Sequence, residues 1–133
     1  MEAIQLREGV RGEILAHARA EAPRECCGLL LGQGSLVDEC VRSANLDPNP
    51  NRYEIDARLH VSTNRRLRDS GRGVIGAYHS HPHSPAWPSP SDVAEAYYSE
   101  FIWMIASLAG SDPELRAFRV EDGRVVELSI EMA

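Results

Sequence analysis

Apolar residues recur every three to four positions over residues 10–20, and this spacing predicts an amphipathic helix that ends before Pro23. A second helix is expected to begin after Asp56, whose carboxylate can cap its first turn, and to run to about Asp69. Glycines follow this segment and would end it. The first half of the chain is therefore expected to supply two helices.

Short apolar runs between turn residues predict the strands. Residues 26–32 and 36–41 would form a hairpin around a turn at 33–35. Residues 74–79 are the best candidate for a central strand. Further strands are expected over residues 52–55, 101–108, 114–120 and 125–130.

Prolines mark the irregular segments. Residues 45–51 hold two prolines and three asparagines, and residues 82–90 hold four prolines, so both segments are expected to be loops. Ser89 or Ser91 can then cap a third helix through Tyr98. Together these elements predict one mixed α/β domain over residues 1–133, with a central sheet and a helix on each side.

Composition indicates a folded protein and narrows the functions that suit it. The chain has 133 residues, of which 43% are apolar and 26% are charged. No apolar run could span a bilayer, and the N-terminal residues do not resemble a secretory signal, so we expect a cytoplasmic protein that binds no membrane. The formal net charge of −6 argues against a nucleic-acid partner. All 14 basic residues are arginine, and we have no functional explanation for the absence of lysine.

The cysteines do not indicate a site. Cys26, Cys27 and Cys40 are an odd number of thiols in a chain without a recognisable secretory signal, which is typical of reduced cysteines. The adjacent pair lacks the Cys-x-x-Cys spacing of a zinc knuckle. No histidine lies nearby in the sequence to activate either thiol, which disfavours a nucleophilic cysteine.

The residues that can carry chemistry are concentrated in the run Tyr-His-Ser-His-Pro-His at 78–83 and at Asp92. Side chains two apart on a strand point the same way, so His79 and His81 present two imidazoles from one face. With the carboxylate of Asp92 they make the set of two nitrogens and one oxygen, with an open fourth position, that catalytic zinc uses. His83 continues the alternation and is an alternative third ligand.

Other noticeable residues have structural interpretations. His17 and His60 lie on predicted helices and are interpreted as surface residues. Residues 101–104 are apolar enough for a core or for the seam of a homodimer, with the core favoured. Trp87, inside the proline-rich segment, either lines a substrate groove or pins its own loop.

The histidine run resembles the signature of the JAMM (MPN-plus) metalloproteases in their short prokaryotic form. His79-Ser80-His81-Pro82 is followed after six residues by Ser89 and after two more by Asp92, as in that signature. Residues 23–32 resemble the family's strand segment that carries its catalytic glutamate, here Glu25, and residues 53–56 resemble the short strand before its middle helix. The resemblance extends from about residue 8 to about residue 120. It implies a cytidine-deaminase-like MPN/JAMM domain, with a central mixed, curved β-sheet flanked by helices.

The resemblance also implies roles for the matching residues. His79, His81 and Asp92 would hold one Zn²⁺ per chain. Glu25 would act as general base toward a metal-activated water and then as general acid toward the leaving amine, while Ser89 would help to stabilise the oxyanion. Ser80 should face away from the ligands and is interpreted as structural.

Members of this family cleave peptide or isopeptide bonds after the C-terminal Gly-Gly of ubiquitin or ubiquitin-like proteins. Bacterial members of this size release an amino acid such as cysteine from ubiquitin-like sulfur carriers. The resemblance therefore implies a zinc-dependent peptidase or isopeptidase with such a partner. A catalytically inactive MPN-type scaffold is the main alternative. A zinc deaminase is disfavoured because its His-x-Glu and Pro-Cys-x-x-Cys motifs are absent.

Overall fold

The computed structural model describes residues 1–133, which form seven strands and three helices. In chain order these are β1 (Ala3–Leu6), α1 (Val10–Glu21), β2 (Cys27–Gln33), β3 (Leu36–Ser43), α2 (Ala57–Leu67), β4 (Gly73–His81), α3 (Pro90–Ala94), β5 (Ile102–Ser107), β6 (Glu114–Glu121) and β7 (Arg124–Met132). The predicted mixed α/β class is confirmed. None of the helices has the length and apolar character that crossing a membrane requires.

All seven strands belong to one mixed sheet in the order β1-β3-β2-β4-β5-β6-β7. The sheet curves until it closes, because β1 pairs in parallel with both β3 and β7. The pairing of β4 with β5 is also parallel, and the remaining pairs are antiparallel. Closure leaves no unpaired edge strand in the sheet.

The predicted helices α1 and α2 lie on opposite faces of the sheet. Ile14 of α1 packs into the main core together with Leu30 of β2. Leu67 of α2 packs instead against Leu29 and Leu31, which alternate with Leu30 along the same strand. Each fully buried leucine contributes about 1.5–3 kcal/mol to folding. The prediction of a helix on each side is therefore confirmed.

Two of the predicted elements differ from the structure. Residues 52–55 do not form a strand and make only a single bridge between Ile55 and Asn45. The side chain of Asn45 donates to the carbonyl of Arg52 and accepts from the amide of Glu54, so these backbone groups already have partners outside any ladder. The third helix, α3, ends at Ala94 instead of extending through Tyr98.

The early end of α3 follows from its surroundings. Tyr97 is 79% exposed and Tyr98 is 48% exposed, so a longer helix would bury little additional apolar surface. A short helix in water gains most of its stability from such packing. Ser89 caps the first turn, and that turn is the part that the candidate site uses.

Candidate metal centre

Strand β4 brings two histidines together at its C-terminal end. His79 and His81 point to the same face of the sheet, and these residues are only 1% and 5% exposed. Their Nε2 atoms lie 3.2 Å apart. Ser80 between them points to the other face, as strand geometry requires. Two buried imidazoles therefore converge on one point without a bulky side chain between them.

Helix α3 supplies a carboxylate to the same point. The hydroxyl of Ser89 accepts a hydrogen bond of 3.1 Å from the amide of Asp92, and the amide of Ser89 donates one of 2.9 Å to Asp92 Oδ2. This reciprocal capping box fixes the carboxylate at the start of the helix. The same Oδ2 lies 3.1 Å from His79 Nε2 and 3.2 Å from His81 Nε2. One oxygen thus serves both the helix cap and the histidine cluster.

The three atoms have the spacing of a zinc ligand set. The ligands of a tetrahedral zinc ion, at bond lengths of about 2.0–2.2 Å, lie about 3.3–3.5 Å from one another. The distances among His79 Nε2, His81 Nε2 and Asp92 Oδ2 are 3.1–3.2 Å, so a small displacement of each would accommodate one ion. This donor set leaves a fourth position open, as catalytic sites do. His83, the alternative third ligand, is exposed and lies outside the cluster.

The surroundings of the two imidazoles differ. His81 Nδ1 lies 2.8 Å from the carbonyl oxygen of Pro85, which can only accept, so Nδ1 carries a proton and Nε2 is the nitrogen that would offer its lone pair to a cation. The ring of His79 instead stacks on Tyr53, with centroids 4.2 Å apart and planes 19° from parallel. His79 Nδ1 is buried and has no hydrogen-bond partner in the protein.

The charges of the cluster favour an anionic carboxylate. Although burial raises the pKa of Asp92, the hydrogen bonds from His79 and His81 outweigh burial and hold that pKa well below its usual range. Burial lowers the pKa of His79. Burial also opposes the charged form of His81, but its contacts with Asp92 and Pro85 raise its pKa overall. A carboxylate that is ionised at neutral pH is the form that a cation requires.

Glu25 lies just before β2, and its backbone is held from two sides. Its amide donates to the carbonyl of Pro50 at 3.0 Å, and its carbonyl accepts from the side chain of Asn45 at 3.0 Å. The next residue, Cys26, is clamped to β4, because its amide donates to Ser80 Oγ at 2.8 Å and its carbonyl accepts from the amide of Ser80 at 3.1 Å. Ser80 thus ties the glutamate segment to the strand that carries the histidines.

The carboxyl group of Glu25 lies close enough to the cluster to interact with its charges. Burial raises the pKa of Glu25 to about 7; His81 opposes this rise, while the carboxylates of Asp92 and Asp47 add to it. The side chain is 9% exposed. A carboxyl group with a pKa near neutrality can both accept and return a proton at physiological pH.

The Ser89 hydroxyl is half-buried at the rim of the cluster. Its oxygen accepts from the Asp92 amide, so its own proton is available to a further acceptor. The neighbouring hydroxyl oxygen, Ser91 Oγ, is 3.2 Å away. These two hydroxyls share a hydrogen bond in which either can donate, and a rotatable O–H beside the cluster is suited to stabilise a developing oxyanion.

Trp87 anchors the loop between the ligands. Its ring packs edge-on against Phe118 of β6 with centroids 5.1 Å apart, and the guanidinium of Arg116 lies 5.4 Å above it. The side chain is still 45% exposed. These contacts favour the interpretation of Trp87 as a residue that pins its loop.

An apolar groove of about 280 Å³, which no sequence pattern predicted, adjoins the candidate metal centre. It extends along β4 and β5 from Tyr53, which stacks on His79, toward α2, and its aromatic lining comprises Tyr53, Tyr97, Tyr98, Phe101 and Trp103. Ile102 and Met104 are core residues, as favoured, whereas Phe101 and Trp103 face this groove. In the sequence, the adjacent tyrosines Tyr97 and Tyr98, followed closely by Phe101-x-Trp103, are the pattern that could have indicated this groove.

Comparison with known proteins gives a consistent result. Residues 7–121 match the family model of prokaryotic homologues of the JAB domain. The CysO-cysteine peptidase of Mycobacterium tuberculosis is 32% identical over 127 residues, which cover 92% of this chain and 86% of that protein. The probable TtuB-protein conjugate cleaving protease of Thermus thermophilus is also 32% identical, over 92% of this chain and 79% of its own. The solution structure of protein DSY2949 from Desulfitobacterium hafniense superimposes with a TM-score of 0.88 at 33% identity, covering 98% of this chain and 92% of that one.

Proposed function

This chain belongs to the family of prokaryotic homologues of the JAB domain, and we propose that it is a single-domain, JAMM-type zinc peptidase. Its proposed substrate is a ubiquitin-like or sulfur-carrier protein, cleaved after the C-terminal Gly-Gly. The observation that carries the proposal is the convergence of His79 Nε2, His81 Nε2 and Asp92 Oδ2 within 3.2 Å of one another, beside a glutamate whose pKa is raised to about 7.

His79, His81 and Asp92 would hold one zinc ion per chain. A zinc ion bound there supplies Lewis acidity, which polarises a scissile carbonyl and makes water acidic enough to ionise near neutral pH. The protein holds the ligands in place before binding: Pro85 orients His81, and the helix cap orients Asp92. Such preorganisation reduces the cost of assembling the site.

Glu25 is the proposed general base. Its carboxylate accepts a proton from the attacking water and later returns that proton to the leaving amine, so the group is regenerated in each cycle. Burial keeps the pKa of Glu25 near neutrality, and a bound cation close by would favour its ionised, proton-accepting form. A correctly placed general base contributes about 10²–10⁴-fold to turnover.

Ser89 is the proposed oxyanion donor. Its oxygen accepts from the Asp92 amide, which holds the side chain at the cluster, and its rotatable proton can turn from Ser91 Oγ to the carbonyl oxygen of the substrate. Removing one such donor from an active site typically costs about 10²–10³-fold in turnover. We expect this loss for substitution of Ser89 but not of Ser91, because Ser91 makes no hydrogen bond with the carboxylate of Asp92.

The proposed substrate class draws on the relatives and on the shape of the site. One relative is named a CysO-cysteine peptidase and another a probable TtuB-protein conjugate cleaving protease. In this chain the aromatic groove ends at the ring of Tyr53, which covers His79. A tail that ends in two glycines has no side chains at the scissile bond, so its backbone can approach the ligands beneath such a lid.

A catalytically inactive scaffold is the second candidate, but the polar geometry does not favour it. A scaffold has no need for a largely buried carboxylate between two imidazoles or for a buried glutamate near them, because taking such groups out of water costs free energy. The retention of all these groups supports hydrolysis.

The test of the proposed function is cleavage of a defined adduct. The zinc-loaded protein is incubated with a ubiquitin-fold sulfur carrier that carries cysteine on its C-terminal Gly-Gly, and intact mass is followed over time. We expect a mass loss equal to one cysteine residue, and no loss after chelation. A Glu25→Gln variant should retain zinc and be slower by about 10²–10⁴-fold.

The choice of adduct separates the two kinds of substrate that the relatives suggest. A second adduct, in which the same carrier is joined to a lysine side chain of a protein, tests isopeptide cleavage. If the wild type and Glu25→Gln are indistinguishable on both adducts, the proposed function is wrong.

A further inference from the structure

Two buried side-chain nitrogens have no hydrogen-bond partner in the protein, His79 Nδ1 and Trp103 Nε1. Burying a polar group without a partner costs about 1–3 kcal/mol, so native structures rarely leave one in this state. The Nδ1 atom of the other ligand, His81, does have a partner, the carbonyl oxygen of Pro85 at 2.8 Å. His79 is therefore the ligand whose outer nitrogen requires an explanation.

Both nitrogens belong to residues that line one small cavity. The cavity measures about 10 Å³ and is bounded by His79, Asp92, Trp103, Tyr53 and a few apolar side chains. A single water needs a space of about 10–15 Å³ and two to four polar partners. The cavity thus has the size for one water and polar groups in its wall.

The protonation of the two nitrogens decides what can lie between them. Indole Nε1 always carries hydrogen and can only donate. A neutral histidine that offers Nε2 to a metal carries its hydrogen on Nδ1, so this nitrogen also donates. Two donors cannot bond to each other, and they need an acceptor with two lone pairs between them.

We propose that Trp103 is a positioning residue for the metal ligand His79 and acts through one ordered water in this cavity. The water accepts one hydrogen bond from Trp103 Nε1 and one from His79 Nδ1, and so provides the outer contact that Pro85 provides for His81. The inference rests on the proposed zinc site, since zinc at Nε2 is what makes His79 Nδ1 a donor. Trp103 then orients the imidazole without touching the metal.

The test compares zinc affinities, measured by competition with a chelating dye. Trp103→Phe keeps an aromatic ring but removes the N–H group, and it should weaken zinc binding by about tenfold, at the low end of the 10–100-fold range for such outer contacts. Trp87→Phe is the matched control, because Trp87 packs on Phe118 and does not line the cavity, and its zinc affinity should equal that of the wild type.

A second control separates the hydrogen bond from packing. Ile105 also lines the cavity, so Ile105→Val enlarges it without removing a donor. This variant should bind zinc as tightly as the wild type does. Equal weakening by Ile105→Val and Trp103→Phe would overturn the inference, because the effect would then be one of volume.

A spectroscopic measurement provides a readout independent of affinity and activity. Trp87→Phe leaves Trp103 as the single tryptophan, so the protein has one indole N–H resonance. In the zinc-loaded protein this resonance should show a cross-peak to a bound water and should shift when zinc is removed. Wild-type zinc affinity in Trp103→Phe would overturn this inference alone, whereas absence of zinc binding by the wild type would overturn the proposed function as well.

Discussion

Strand β4 carries buried polar side chains on both of its faces, with His79 and His81 on one and Tyr78 and Ser80 on the other. On the face that packs against α1, here called the α1 face, the hydroxyl of Tyr78 shares a hydrogen bond of 2.8 Å with Nδ1 of His17. That histidine is only 3% exposed. On the opposite face, here called the metal face, the imidazoles of His79 and His81 meet a carboxylate oxygen of Asp92 that lies between them. Both faces therefore bury histidine, but in different chemical settings.

On the α1 face, His17 and Tyr78 form a structural pair that needs no ligand. The ring of Tyr78 occupies space that Gly28 leaves free, since a Cβ at position 28 would lie 2.3 Å from that ring. The nearest carboxylate oxygen to His17 belongs to Glu21, at 3.9 Å from Nε2, on a side chain that is 46% exposed. A single neutral hydrogen bond satisfies this histidine, and no second ligand approaches it.

The difference shows what distinguishes a ligand histidine from a buried structural one. Burial alone does not, because His17 and His79 are buried to a similar extent. The distinguishing features are a partly buried carboxylate within hydrogen-bond distance of Nε2 and, for His81, a backbone carbonyl that accepts the proton of Nδ1. These features are visible only once the chain is folded.

The largest expected effect that separates the two faces comes from His81→Ala. Loss of one of three ligands should weaken zinc binding by more than about a hundredfold and abolish turnover, while the zinc-free protein stays folded. The matched control is His83→Ala, which removes an exposed histidine next to the same loop and should leave zinc binding unchanged. Equal losses in the two variants would mean that the ligand set is misassigned.

Tyr78→Phe tests the independence of the α1 face. The change leaves His17 Nδ1 buried without its partner, so the free energy of unfolding should fall by about 1–3 kcal/mol, measured by denaturant titration. Zinc affinity and turnover should not change. Tyr97→Phe, at an exposed tyrosine, is the control and should have no effect on stability. Lower zinc affinity with unchanged stability would contradict the separation of the faces.

The α1 face should also respond to pH with a defined sign. Burial, assisted by the nearby Arg42, lowers the pKa of His17 below its ordinary value of 6.5, although Glu21 opposes this shift. Below pH 6.5 the unfolded chain therefore takes up a proton that folded His17 does not, and the free energy of unfolding falls as the pH is lowered.

This pH effect is measured on zinc-free protein as the difference in unfolding free energy between the wild type and His17→Gln. As the pH is lowered from about 7.5 to about 5.5, the unfolding free energy of the wild type should fall relative to that of His17→Gln. A constant difference would mean that His17 is protonated equally in the folded and unfolded chains.

The smallest expected effect comes from Trp87→Ala. An aromatic pair of this kind contributes about 0.5–1.5 kcal/mol in addition to the free energy of the apolar area that it buries, so the melting temperature should fall. Turnover of the carrier adduct should remain near that of the wild type, because Trp87 pins the loop without contacting the ligands. A large rise in KM at unchanged melting temperature would instead place Trp87 in the substrate groove.

Much of the metal face could be predicted from the sequence because its determinants are local. The period of two places His79 and His81 on one face, and Ser89 three residues before Asp92 is the spacing of a helix cap. Glu25 could be assigned only through the family resemblance. No local rule connects it to a strand that lies about fifty residues further along the chain.

The parts that could not be predicted depend on contacts that are distant in sequence. Strand β1 was missed because four residues are too few to show a period, although β1 closes the sheet with Ile4 and Leu6 fully buried. The interpretation of His17 as a surface residue was wrong, since its partner Tyr78 lies 61 positions away. The aromatic groove was missed for the same reason, because it is assembled from several separate elements.

The most direct test of the account is the zinc content of the purified wild-type protein after dialysis, measured together with its dissociation constant. We expect one zinc per chain in the wild type, and none retained by Asp92→Asn, whose side-chain oxygen can still cap α3 but carries no charge. If the folded wild-type protein binds no zinc when one equivalent is added, the proposed metal centre is contradicted. The scaffold alternative would then be preferred.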